Sequence, residues 1–203
     1  MYANRTRRPP RTLTDAEVAK LLKVSGRDRE GFRDHLIFSF ALGCGLREHE
    51  IVGLDVADVA KLEGRTLRPL RTLKLRVFKG SGGRADPELQ RVPLPDGTFY
   101  KLEKYLSMID ATDGPLFRSR KGGVRLSTRA VRGMFKKWQI AAGFDHPYAF
   151  HHLRHTSISN MQRAARDVRV TQRFARHANI NTTTLYEHAS DEEVLRATKG
   201  LAS

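Results

Sequence analysis

The sequence lacks the features that define several common classes of protein. Cys44 is the only cysteine among 203 residues, which excludes an internal disulfide and a cysteine-rich zinc module and suits a reducing compartment. The longest apolar stretch, residues 36–46, is much shorter than the roughly 20 residues that a membrane helix needs. The N-terminus has no apolar secretion segment. These absences predict a cytoplasmic protein with no membrane association.

Acidic residues are also scarce relative to basic ones. The chain has 37 Lys and Arg against 22 Asp and Glu, which gives a formal net charge of +15 and a sequence pI near 10.5. Hydrophobic residues make up 39% of the chain, enough to bury a core, so a disordered or collagen-like protein is excluded. A globular protein with this charge excess most often binds a polyanion, and nucleic acid is favoured over a membrane surface.

The first twelve residues differ from the rest of the chain. Residues 1–12 surround a Pro-Pro pair and show no apolar periodicity, which predicts a flexible basic arm. The arm either lies on a polyanion or is an unused tail. No linker or internal repeat divides residues 13–203, so they are interpreted as one domain. The basic residues of the arm are Arg5, Arg7, Arg8 and Arg11.

Helical patterns account for most of this domain. Thr14 and Glu17 have the spacing of a capping box, which places the start of the first helix directly after Thr14. Apolar residues recur at helical spacing from Leu36, and Gly43 and Gly45 are expected to end that second helix, with a third beginning near Leu46. Further helices are predicted across residues 99–109, after Ser127, from His151 onward and after Ser190.

Two short segments have the pattern of strands instead. Residues 73–78 alternate apolar and basic side chains, which is typical of a half-buried strand. A glycine-rich loop and a second short strand at 91–94 follow, and Pro93 keeps that strand at an edge. The fold class is therefore α+β, mainly α-helical, with a small antiparallel β-sheet.

The densest group of ionisable residues is His151-His152-Leu153-Arg154-His155. On a helix, His151 and Arg154 would share a face because they are three residues apart. The spacing of His151 and His155 also fits a zinc site, but the glutamate of an H-E-x-x-H motif and a third ligand are missing. Ordinary surface residues are the other interpretation.

Four segments in a fixed order carry a family resemblance. They are Gly45-Leu46-Arg47-Glu48-His49-Glu50, Lys79 in the glycine-rich hairpin, the His151–His155 segment, and the pair His177 and Tyr186 nine residues apart. Together they resemble the catalytic domain of the tyrosine recombinases, the integrase family that cuts DNA through a tyrosine. The resemblance extends over nearly all of residues 13–203 and implies that family's helical catalytic fold. It assigns the catalytic residues Arg47, Lys79, His151, Arg154, His177 and Tyr186.

The implied reaction explains why these residue types are needed. Attack by the Tyr186 oxygen on a phosphodiester places extra negative charge on the non-bridging oxygens, which Arg47 and Arg154 would hold. Guanidinium groups stay protonated, so the arginines cannot donate a proton to the leaving 5′ oxygen. Lys79 would donate it, and Lys74 is a second lysine nearby in the same hairpin.

The remaining roles fall to the histidines. His151 would accept the tyrosine proton, and His177 would donate a hydrogen bond to a phosphate oxygen. The resemblance implies no metal and no cofactor, double-stranded DNA as the partner, and a homo-oligomer, a tetramer, on DNA. The C-terminal residues Val194 and Leu195 would dock on a neighbouring subunit or pack on their own core.

The sequence departs from the family in two places. Arg176 occupies a position before His177 where the family usually has glycine, and a positive φ there would cost about 1 kcal/mol or more. Most members also carry a separate DNA-binding domain ahead of the catalytic one, where this chain has only the arm. It therefore resembles either a short inversion-type recombinase or the catalytic part of a longer integrase.

Three further activities fit the same residue types. A type IB topoisomerase uses similar groups to nick and reseal one strand, and telomere resolution has similar chemistry. A catalytically silent DNA-binding module would use the charge alone. The size and the H-x-L-R-H segment favour a site-specific recombinase that works through a 3′-phosphotyrosyl intermediate.

Overall fold

The computed structural model describes residues 10–27, 29–77, 88–119 and 122–177. Arg11–Ser157 form one compact unit, and a second begins at Ile158. The helices are α1 (Asp15–Ser25), α2 (Arg29–Cys44), α3 (Glu48–Gly53), α4 (Val56–Val59), α5 (Asp96–Leu106), α6 (Thr128–Ala141), α7 (His151–Ala165) and α8 (Val168–Ala175). The strands are β1 (Ala60–Glu63), β2 (Thr66–Pro69), β3 (Thr72–Val77) and β4 (Glu88–Pro93).

Helix α2 is the centre of the first unit. Its middle turns are apolar on every side, and α1, α3, α5 and α6 pack around it. The ring of Phe38 lies 5.5 Å from that of Phe135 on α6 and 6.3 Å from that of Phe150, just ahead of α7. The core therefore fixes the positions from which α3 and α7 begin.

The predicted starts and ends of helices are largely confirmed, because they depend on local chemistry. The Thr14 side chain accepts from the Glu17 amide and the Glu17 carboxylate accepts from the Thr14 amide, which completes the capping box. The Ser127 side chain caps α6, and Gly45 ends the turn after α2 with a φ of +59°. The third helix begins at Glu48, two residues later than expected, because Arg47 takes the N-cap position.

The described residues form two separate two-stranded antiparallel sheets, where the sequence predicted one. The hairpin of β3 and β4 is confirmed, with Lys74 opposite Arg91 and Thr72 opposite Pro93. The hairpin of β1 and β2, in which Lys61 lies opposite Arg68, was not predicted from the sequence. Most side chains of β1 and β2 are exposed, so these strands have no buried face to produce an alternating pattern.

The described part of the second unit contains the end of α7 and all of α8. Ile158 and Ala175 are buried there against Phe174. The Asp167 carboxylate caps α8 by accepting from the amides of Arg169 and Val170. No helix among the described residues is long and apolar enough to cross a bilayer. Residues 1–9 of the predicted arm and the predicted helix after Ser190 lie outside the described residues.

A buried histidine packs between α1 and α2. The Nδ1 atom of His35 lies 3.0 Å from the Leu22 carbonyl oxygen and 3.2 Å from the Ser25 hydroxyl, and the residue is 7% exposed. Burial, with the positive charges of Lys101 and Lys104, lowers the pKa of His35 to about 4. The folded protein therefore keeps this ring neutral under conditions that protonate it in the unfolded chain.

This burial predicts that acid destabilises the fold between pH 6.5 and 4. In that window the unfolded chain binds a proton at His35 and the folded chain does not, so the free energy of unfolding decreases as the pH is lowered. Wild type should lose about 2 kcal/mol more than a His35→Gln variant across the window, after allowance for solvent screening. Urea unfolding at stepped pH measures the difference, and parallel curves for the two proteins would contradict it.

Candidate active site

Arg47 is held by the helix that it precedes. Its amide donates to Glu50 Oε2 at 2.7 Å, and its Nη1 atom donates to Glu50 Oε1 at 2.9 Å. The Glu50 side chain is 9% exposed and that of Arg47 is 38% exposed. One carboxylate therefore fixes the backbone and the guanidinium of Arg47, while other N–H groups of the guanidinium face the surface.

Arg154 is buried and is tied to the same turn. It lies on α7, is 6% exposed, and its Nη1 atom donates to the carbonyl oxygen of Gly45. Gly45 precedes Arg47 by two residues, so this hydrogen bond joins α7 to the segment that presents Arg47. The structure thus connects Arg154 to the turn that precedes Arg47, although the two arginines are 107 positions apart in the sequence.

His151 begins α7 one turn ahead of Arg154. Its ring centroid lies 4.2 Å from that of His152 in a stacked arrangement and 5.2 Å from that of His155 in an edge arrangement. Burial and the neighbouring His152 lower the pKa of His151, and the carboxylate of Glu48 partly offsets this. No group of three or more histidine, cysteine or carboxylate side chains within the described ranges is placed to hold a metal ion.

Glu48 interacts with residues on two other helices, Arg132 on α6 and His151 on α7. It is the first residue of α3, and its carboxylate accepts from Nε and Nη2 of Arg132 on α6, with Nε 3.0 Å from both carboxylate oxygens. It is also the acidic group that acts on His151. No local sequence pattern indicates a role for Glu48 or Arg132, because 84 positions separate them.

A pocket of about 390 Å³ opens beside Arg47. Arg125 lines the pocket, and its Nη1 atom donates to the carbonyl oxygens of Val52 at 2.8 Å and Leu54 at 3.2 Å. These bonds satisfy carbonyl groups at the end of α3. The ionisable residues that line the pocket are Arg47, His49, Glu50, Asp55, Asp58, Lys74, Arg76 and Arg125.

The second unit carries His177 directly after a strained residue. Arg176 ends α8 in the left-handed conformation, with φ of +55° and ψ of +43°. The His177 amide donates to the Gln172 carbonyl oxygen at 3.2 Å, and Gln172 Nε2 donates to the His177 carbonyl oxygen at 3.2 Å. The positive φ that the glycine position suggested is therefore present, and these bonds hold it.

The two remaining assigned residues, Lys79 and Tyr186, lie outside the described residues. Tyr148 is a tyrosine within the described residues, and it is a poor candidate for the nucleophile. Its hydroxyl donates to the Glu17 carboxylate at 3.0 Å, and the Arg11 guanidinium lies 4.1 Å from its ring centroid. Burial and the bond to Glu17 raise the pKa of Tyr148, which disfavours the phenolate that would attack phosphorus.

Known proteins are similar to this chain over most of its length. The phage integrase family model matches residues 11–193. Tyrosine recombinase XerC of Proteus mirabilis is 30% identical over 183 residues, which cover 88% of this chain and 55% of the relative. XerC of Vibrio parahaemolyticus is 30% identical over 199 residues, covering 96% of this chain and 60% of the relative. The chain thus spans somewhat more than half the length of these curated relatives.

Solved structures show the same fold. The crystal structure of XerA recombinase superposes with a TM-score of 0.72 at 24% identity, covering 98% of this chain and 66% of that chain. The structure of XerH site-specific recombinase bound to difH substrate also gives a TM-score of 0.72, at 20% identity, covering 98% of this chain and 56% of that one.

The family match extends over most of the sequence, so the chain belongs to the phage integrase family, and the resemblance to tyrosine recombinases is confirmed.

The left-handed Arg176 predicts a specific stability difference. Arg176→Gly should be more stable than Arg176→Ala by about 1 kcal/mol, since only glycine adopts a positive φ without steric cost. Arg173, on the exposed side of α8, is the matched control. There the order should reverse, because glycine costs about 1 kcal/mol relative to alanine inside a helix. Urea unfolding of the four variants measures both differences, and the same order at both positions would refute the explanation.

The Glu48 carboxylate predicts a shift at His151. Glu48→Gln should lower the pKa of His151, because it removes the one acidic group that favours the imidazolium form. An NMR titration of the His151 ring proton, assigned with a His151→Asn variant, measures the change. Glu103→Gln on α5 is the control and should leave the titration unchanged. A rise in the His151 pKa, or no change, in Glu48→Gln would show that the carboxylate does not act on this ring.

Proposed function

We propose that this chain cuts and rejoins double-stranded DNA as a site-specific recombinase, through a 3′-phosphotyrosyl intermediate. The observation that carries the proposal is the hydrogen bond from buried Arg154 to Gly45, which ties one arginine to the turn that presents another. Two guanidinium groups fixed in this way suit the non-bridging oxygens of a single phosphate. Family membership and relatives named as tyrosine recombinases support the same reaction.

The proposed first step exchanges one phosphodiester for another. The Tyr186 oxygen forms a bond to phosphorus, the bond from phosphorus to the 5′ oxygen breaks, and the phosphate stays attached to the 3′ side of the cut. His151 takes the phenol proton, and Lys79 donates a proton to the leaving 5′ oxygen. Arg47, Arg154 and His177 stabilise the charge on phosphorus-bound oxygens.

Rejoining reverses these proton transfers. A 5′ hydroxyl from a second strand attacks the phosphotyrosyl bond and returns the tyrosine to its starting form. The energy of the original bond is kept in the protein–DNA linkage, so the exchange needs no external energy source. Lowering of the His151 pKa by burial and by His152 fits a group that must be neutral before it accepts the phenol proton.

The partners follow from the proposed reaction. Exchange between two duplexes requires a cut in each of four strands, so four subunits, each with one tyrosine, would form a tetramer on DNA. XerH is a related structure that holds its DNA substrate. We assign the catalytic role to residues 13–203 and DNA contact to the basic arm at residues 1–12, and we expect the protein to act in the cytoplasm.

Replacing Tyr186 by phenylalanine tests the proposal directly. The variant should fold and bind DNA but form no covalent adduct with a nicked suicide substrate, because only the nucleophilic oxygen is lost. Tyr148→Phe is the matched control and should still form the adduct. Denaturing electrophoresis of labelled DNA separates the outcomes, and an adduct that survives in Tyr186→Phe would place the nucleophile elsewhere.

Two further results distinguish related functions. If wild type itself forms no adduct while it binds duplex DNA, the chain is a silent DNA-binding module. If it relaxes supercoiled DNA that carries one site and yields no recombinant from two sites, a type IB topoisomerase-like activity replaces the recombinase.

A further inference from the structure

The hairpin of β3 and β4 presents two positive charges that have no acidic partner within the described part of the chain. Leu73 and Leu75 point into the core, so Lys74 and Arg76 lie on the opposite face of β3. Arg76 lies within 4 Å of the carboxylates of Asp55 and Asp58, at 3.9 Å and 3.8 Å. Among the described residues, neither Lys74 nor Arg91 has an ion pair with a carboxylate.

The register places these two unpaired cations directly opposite each other. Lys74 and Arg91 are partners in the antiparallel ladder, and opposed residues project from the same face. Like charges at such positions repel at a separation of about 5 Å between Cβ atoms. An anion between the two side chains would attract both of them and offset this repulsion, so the pair is arranged to bind an anion.

The pair also lies beside the candidate active site. Lys74 lines the same pocket as Arg47. Around that pocket Arg47 pairs with Glu50, Arg76 with two aspartates and Arg125 with Asp55, which leaves Lys74 as the lining cation without a carboxylate in the described ranges. The uncompensated charge of the pocket is therefore at Lys74, next to the arginine proposed to hold the scissile phosphate.

We propose that Lys74 and Arg91 together bind one backbone phosphate of the strand whose scissile phosphate lies at Arg47. This inference rests on the proposed function, because that function supplies the DNA strand. The two residues set the register of the strand before cleavage, and Lys74 is a positioning residue rather than the proton donor. A phosphate shared by two cations needs both charges throughout the reaction, whereas a general acid gives its proton away.

Salt-dependent binding measures the contact without cleavage. Lys74→Ala, Arg91→Ala and the double variant, each in the Tyr186→Phe background, are titrated with a labelled mixed-sequence duplex at several salt concentrations. Each neutralised phosphate contributes about 0.9 to the slope of log K against log salt, so loss of one should make the slope shallower by about 0.9. Because both side chains share one phosphate, the full loss of about 0.9 is expected in the double variant and a smaller loss in each single variant. A loss of about 1.8 in the double variant would show two separate phosphates and overturn the inference.

The other hairpin supplies a matched control. Lys61 and Arg68 are the same residue types and also lie opposite each other, in β1 and β2. Arg68 has a carboxylate, Glu63, at 3.6 Å, and neither residue lines the pocket. Lys61→Ala and Arg68→Ala should leave the slope unchanged. An equal loss of slope in both hairpins would show a general effect of charge and overturn the inference, as would an unchanged slope in the Lys74→Ala, Arg91→Ala double variant.

A cleavage assay separates positioning from acid catalysis. A suicide substrate with a 5′-bridging sulfur leaves as a thiolate and barely needs a proton. Lys74→Ala should be impaired equally on this substrate and on the normal one, whereas Lys79→Ala should recover on sulfur. Recovery of Lys74→Ala would make Lys74 the acid and would overturn the inference.

The two proposals fail in different ways. A wild type that forms no adduct refutes the recombinase, while the slope measurements still decide whether the hairpin holds a phosphate.

Thermal melting checks the fold: Lys74→Ala and Lys74→Gln should melt no lower than wild type, because each removes a repulsion. The glutamine variant repeats the slope measurement with a side chain of similar length.

Discussion

The hydrogen bond between buried Arg154 and the carbonyl oxygen of Gly45 determines the arrangement of the candidate catalytic residues in the first unit. A guanidinium that is 6% exposed must have hydrogen-bond partners, because an unpaired buried charge is very costly. The turn at Gly45 supplies one, and this turn follows α2, whose central residues are fully buried. Arg47 follows after one further residue. Core packing and site geometry therefore depend on each other.

Features encoded by a few neighbouring residues could be predicted from the sequence. Thr14 and Glu17 define the start of α1 without help from the rest of the fold, and Gly45 ends the turn after α2 because its φ is positive. His151 and Arg154 were expected to share a helix, and they do. Arg176 stands where the family usually has glycine, and its φ is positive, as that position suggests. The capping box and the His151–Arg154 spacing each involve only four consecutive residues.

Other features depend on contacts that no local pattern encodes. The exposed β1–β2 hairpin has no buried face, so its sequence resembles a loop. The contact of Glu48 with Arg132 joins residues on different helices, and either residue alone looks like a solvated charge. Both strands of the second hairpin were predicted, but the opposition of Lys74 and Arg91 depends on register. The roles of Lys79 and Tyr186 stay predictions, because both residues lie outside the described part of the chain.

The hydrogen bonds between Arg47 and Glu50 affect the entropic cost of the proposed phosphate contact. An arginine side chain that is free in water has about 2 kcal/mol of rotamer entropy, which a newly formed phosphate contact would have to overcome. Here the capping geometry already restricts the residue, since the Arg47 amide lies 2.7 Å from Glu50 Oε2 and the Arg47 Nη1 atom lies 2.9 Å from Glu50 Oε1. Part of that ordering is therefore completed during folding, and in the proposed reaction a phosphate would meet a preorganised donor whose binding energy is available to the transition state.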